Sequence, residues 1–81
     1  MITADDVSRL LASETDTVMV LIEGRIDVVD SNELDTDAFR GALQVITRDE
    51  LIAQAGGEQL SERELIEQAA ALEMAVAELG G

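Results

Sequence analysis

Thr17-Val18-Met19-Val20-Leu21-Ile22-Glu23-Gly24-Arg25-Ile26-Asp27-Val28-Val29 decides the fold of this 81-residue chain. Two aliphatic, β-branched runs flank Glu23-Gly24, where glycine supplies the positive φ that a two-residue hairpin turn requires. A turn at that point pairs Leu21 with Ile26 and Met19 with Val28. Side chains alternate across a strand, so this register places Met19, Leu21, Ile26 and Val28 on one wholly apolar face. Val18, Val20, Ile22 and Val29 fall on the other face, mixed with Arg25 and Asp27. A third strand is predicted at Ala42-Leu43-Gln44-Val45-Ile46. Ser31 to Gly41 connects it to the hairpin, with a short helical turn around Asp37 to Arg40.

Helices surround these strands. One local pattern occurs three times: Ile2-Thr3-x-x-Asp6-Val7, Ile46-Thr47-x-x-Glu50-Leu51 and Leu60-Ser61-x-x-Glu64-Leu65. In each, the hydroxyl accepts from the amide three residues on, and the acid at that position reaches back to the cap. The flanking aliphatics close a hydrophobic staple. Helices are therefore predicted to begin near Ala4, Arg48 and Glu62. Gly56-Gly57 ends the second and Gly80-Gly81 the third. The last helix carries Leu65, Ala69, Leu72, Val76 and Leu79 as a continuous apolar stripe, widened by Ile66 and Ala70 at its N-terminal end. The expected fold is α+β: one domain spanning 1–81, order α-β-β-β-α-α, with a three-stranded, mainly antiparallel sheet packed by helices.

Composition restricts the chemistry. Histidine, cysteine, lysine, tyrosine, tryptophan and proline are all missing, and Phe39 is the single aromatic residue. General acid–base and nucleophilic catalysis near neutral pH draw mostly on the missing groups, so no enzymatic activity and no catalytic residue is expected. The absence of cysteine removes disulfides and thiolate metal sites, which suits a reducing compartment. No cofactor is expected. Val18 to Ile22 is far too short to span a bilayer and no basic stretch precedes it, so a cytoplasmic protein without membrane contact is predicted.

Eighteen acids against five arginines leave a net charge of -13. Arg9, Arg25, Arg40, Arg48 and Arg63 are scattered singly, and a surface of this sign repels nucleic acid. The helix, Gly56-Gly57 turn and helix resemble a helix-turn-helix, but the recognition helix would present Glu62, Glu64 and Glu67 to phosphate beside Arg63 alone. Direct nucleic-acid binding is excluded on that ground. The acidic run Asp27, Asp30, Glu33, Asp35 and Asp37 invites a hard-cation site, yet the EF-type spacing fails. Starting at Asp30 puts Leu34 at the fifth position and Asp35 where glycine is required; starting at Asp35 puts Phe39 at the fifth. No metal is expected.

Two partial resemblances lead nowhere. Val20 to Leu34 is similar to the opening of anti-sigma-factor antagonist domains, but the βα units that follow there are missing here. The terminal Gly80-Gly81 is similar to that of ubiquitin-like sulfur carriers, in which a strand and an extended tail precede the glycines; here a predicted helix does.

What remains is a non-catalytic protein–protein interaction, through self-association as a homodimer or docking as an accessory subunit. The candidate surface is the surplus of aliphatic side chains: Val18, Val20, Ile22 and Val29 on the mixed sheet face, and Leu65, Leu72, Val76 and Leu79 on the last helix. The alternative is an acidic mimic of nucleic acid, in which Asp27, Asp30, Asp35 and Asp37 form the patch that occupies a basic groove.

Overall fold

The computed structural model describes residues 1–80. Helix α1 spans Ala4–Ala12, strands β1 and β2 span Thr17–Ile22 and Arg25–Asp30, and β3 spans Leu43–Thr47. Helices α2 and α3 follow at Arg48–Ala55 and Glu62–Gly80. The architecture is the expected α+β fold in the order α-β-β-β-α-α. Gly81, half of the terminal glycine pair, lies outside the described residues. So does the side chain of Leu79.

The hairpin forms in the register its sequence dictates, with Leu21 opposite Ile26 and Met19 opposite Val28. Both turn residues take positive φ, Glu23 at 51° and Gly24 at 77°. That twist matches the right-handed twist of the strands it joins. Glycine adopts it freely, whereas Glu23 crowds its Cβ against the backbone.

β1 is the central strand, flanked by β2 and β3, and both pairings are antiparallel. β3 starts and ends one residue later than the sequence predicts, because Thr47 both closes the strand and caps α2. A bulge interrupts its pairing. Met19 faces Ile46, but Val20 faces Gln44, leaving Val45 as the extra residue. Val45 and Ile46 therefore both pack on the helix-covered side, while Gln44 turns to the other.

All three predicted caps are in place. The Asp6 amide donates to Thr3 Oγ1 at 3.2 Å, the Glu50 amide to Thr47 Oγ1 at 3.1 Å, and the Glu64 amide to Ser61 Oγ at 3.2 Å. Each acid accepts in return from the backbone amide of its cap. The staple pairs Ile2–Val7, Ile46–Leu51 and Leu60–Leu65 join the main core. At the end of α2, Gly56 alone takes the left-handed conformation, at φ 85°, and both its amide and that of Gly57 donate to the Ile52 carbonyl.

The main core lies between one sheet face and the helices, with Val7, Leu10, Met19 and Leu51 fully buried. α1 packs on β2 and β1, and α2 on β3 and β1. α3 packs chiefly on α1. The opposite sheet face is covered too. The connection between β2 and β3 forms two short 3-10 turns, Ser31–Asp35 and Asp37–Phe39, and lays Leu34, Phe39 and Ala42 on Val18, Val20 and Val29. Three short helices do not have to cover both faces, because the crossover covers one of them.

Arg48 ties three elements together. Its Nε donates to the Leu11 carbonyl at the end of α1 at 3.2 Å, and its other end pairs with Glu58 in the α2–α3 connection. A cation in the first turn of α2 opposes the helix dipole, so these two contacts are what offset its placement.

Four outcomes follow from this architecture. Glu23→Asn, a residue that tolerates positive φ, is expected to stabilise the fold by about 0.5–1 kcal/mol, read as a rise in melting temperature of roughly 2–8 °C by circular dichroism. Losing the exposed Glu23–Arg25 pair does not cancel this gain, because such pairs contribute little. Arg48→Ala is expected to destabilise by about 1.5–3 kcal/mol, since it leaves the Leu11 carbonyl without its charged donor. Glu58→Gln should cost under about 1 kcal/mol, because Glu58 is mostly exposed. Finally, 18 acids against 5 arginines set up like-charge repulsion in the folded state. The melting temperature should rise between 0.01 M and 0.15 M sodium chloride, where the Debye length shrinks from about 30 Å to about 8 Å. A flat salt response would mean that the repulsion is already compensated.

Candidate interaction surfaces

The sheet residues that the sequence offers to a partner lie inside the fold. Val18 and Val20 are 1% and 0% exposed, and Val29 is buried with them under the crossover. Ile22, near the hairpin turn, is buried as well. On α3, Leu72 is buried and Leu65 and Val76 are half-buried against the main core. These seven side chains hold the monomer together. The expectation of a bare sheet face fails because Leu34, Phe39 and Ala42, which sit in a polar connection, fold back as its lid.

The four predicted acids do not converge on one free patch either. Asp27 accepts from the Val28 amide at 2.9 Å and stands 3.8 Å from an Arg9 guanidinium nitrogen. Asp30 caps the first 3-10 turn, accepting from the Asn32 amide at 2.9 Å. Asp37 pairs with Arg40 at 2.9 Å. Asp35 is exposed on the crossover and, among the described residues, makes no ion pair. Two of the four therefore already face a guanidinium, and a third is committed to backbone.

The exposed apolar surface lies elsewhere, on α3. Ile66 is 55% exposed and Met74 67% exposed, and Ala70 and Ala77 are exposed beside them. Spacings of four, four and three residues align these side chains along one edge of the helix. The buried stripe is Leu65, Ala69, Leu72 and Val76, so Ile66 and Ala70 do not widen it as the sequence predicts. They begin a second stripe that faces solvent. This stripe is legible in the sequence; only the position of α1 decides which of the two is buried.

The second stripe runs into a groove. Where the C-terminal half of α3 overhangs the end of the hairpin, Leu21, Ile26, Val76, Ala77 and Met1 line an apolar opening of about 160 Å³. Glu73 marks its edge, accepting from the Ile2 amide at 3.3 Å. Leu43, paired across the sheet with Leu21, is partly exposed at the same end.

A different cleft of about 190 Å³ opens on the crossover side between Asp16, Thr17, Ser31, Gln44 and Asp49. Both are smaller than the range of roughly 300–1,000 Å³ usual for small-molecule sites, but a third opening of about 320 Å³, between Leu11 and Ala12 at the end of α1 and Glu58, Leu60 and Leu65, reaches its lower limit. Among the described residues, no three carboxylates gather closely enough to hold a metal ion. No helix among the described residues is long and apolar enough to cross a membrane. The chain matches no protein family, and no curated protein or solved structure is detectably similar to it.

Proposed function

We propose that this protein is a non-catalytic protein–protein interaction domain and that α3 is its docking element. The observation that carries this reading is the solvent-facing stripe Ile66, Ala70, Met74 and Ala77, continuous with the apolar groove at the hairpin end. A short chain has few large aliphatic side chains to spare, and isoleucine and methionine on one exposed helical line add nothing to the core. Burial of such a surface by a partner is favourable in proportion to the apolar area removed from water. The lack of histidine, cysteine, lysine and tyrosine supports a role without chemistry.

The test is the double variant Ile66→Glu/Met74→Glu. Both side chains are exposed, so its melting temperature should stay close to wild type, within about 0.5 kcal/mol per substitution. Chemical cross-linking in the native host, read by quantitative mass spectrometry, should recover a protein with the wild type and lose it with the variant. Identical profiles for the two proteins would remove α3 as the docking element and this function with it.

A further inference from the structure

We infer that the occupant of the α3 stripe and groove is a basic amphipathic helix of another protein, with an apolar face flanked by lysine or arginine; this rests on the docking role of α3 proposed above. The argument is charge complementarity. Glu67 and Glu78 border the stripe on one side, and Glu62 and Glu73 border it on the other, as a rise of 100° per residue dictates. None of these four carboxylates makes an ion pair among the described residues, whereas Arg9, Arg25, Arg40 and Arg48 are all engaged with acids elsewhere. The stripe is thus an apolar line between two rows of glutamates that make no ion pair among the described residues, with Arg63 at its N-terminal end and Glu73 accepting from the Ile2 amide.

Helix stability alone does not account for that arrangement. Glu62 and Glu64 suit the first turn of α3, but Glu78 stands in its last turn, where no basic residue offsets the helix dipole. Separate cations along a partner helix would satisfy Glu67 and Glu78, which lie on one side of α3 about 16 Å apart along its axis. Ala70, between the larger Ile66 and Met74, and Ala77, beyond Met74, leave recesses into which a partner's leucine side chains can settle. A second copy fits poorly. Apposing two α3 faces would bring both sets of glutamates together against Arg63 alone from each chain, a repulsive arrangement.

The probe is a synthetic amphipathic helix with a leucine face flanked by lysines, titrated into the ¹⁵N-labelled full chain. The control is a peptide of the same composition, scrambled so that it carries the same charge without an apolar face. Amide shifts are expected along α3 and at Leu21 and Ile26, with the scrambled peptide producing none. Ile66→Glu/Met74→Glu should weaken binding at least tenfold, a change on the scale of an interface hot spot. Glu67→Gln/Glu78→Gln should weaken it about threefold or more and flatten its dependence on salt. Equal binding of the scrambled peptide, or shifts centred on Asp30 to Asp37, would overturn the inference by showing diffuse attraction to an acidic surface. A concentration-dependent dimer in sedimentation that Met74→Glu dissociates would also overturn it, naming a second copy as the occupant while leaving the docking role of α3 intact. The cross-linking comparison decides that broader role separately, so the two failures are distinguishable.

Discussion

The structure depends on burying β1 on both faces. Val18, Met19 and Val20 are consecutive, point alternately to opposite sides, and are all shielded from water. Each contributes about 1.5–3 kcal/mol when removed from solvent, so neither face can be left bare in a domain of this size. The helices shield Met19, and the β2–β3 crossover shields Val18 and Val20. The central position of β1 follows, because an edge strand would expose its backbone as well as its side chains. The edges fall instead to β2, which carries Arg25, Asp27 and Asp30, and to the bulged β3.

Using the crossover as a lid frees a helix. α1 and α2 cover the sheet between them, and α3 rests on α1 as an outer element. Its inner line of Leu65, Ala69, Leu72 and Val76 completes the core, while Ile66 and Met74 remain in solvent. Fold and proposed function therefore share a cause. A chain that laid α3 flat on the second sheet face would have buried those side chains and left no surface for a partner.

What could be read from the sequence was local, and what could not was tertiary. The caps at Thr3, Thr47 and Ser61 and the turn at Glu23-Gly24 involve residues a few positions apart, so their chemistry is complete in the linear chain. The bulge at Val45 is different. Leu43-Gln44-Val45-Ile46 fits a regular strand equally well, and only the demand for both Val45 and Ile46 in the main core selects the irregular one. The lid was hidden for a similar reason, because Leu34 and Phe39 are isolated among polar neighbours and show no periodicity. The candidate surface suffered from the same gap. Val18, Val20 and Val29 are surplus only when the crossover is read as a loop, and Asp27 belongs to a free acidic run only until Arg9, eighteen positions away, is brought beside it.

Charge is distributed as unevenly as hydrophobicity. Arg9 and Arg48 act across the fold, from α1 to β2 and from α2 to the end of α1, while Arg25 and Arg40 pair with acids close by in sequence. All four neutralise acids outside α3. Glu62, Glu64, Glu67, Glu73 and Glu78 are left with Arg63 as their helix's single cation. Desolvating a carboxylate without a partner is costly, so a neutral apolar partner docking here would have to leave these groups in water at the rim. A cationic partner can meet them there, where the polar rim of an interface ordinarily sits. On the proposed docking role, the charges that repel one another in the free chain would favour partners of opposite sign, and the negative surface would set specificity as well as affinity.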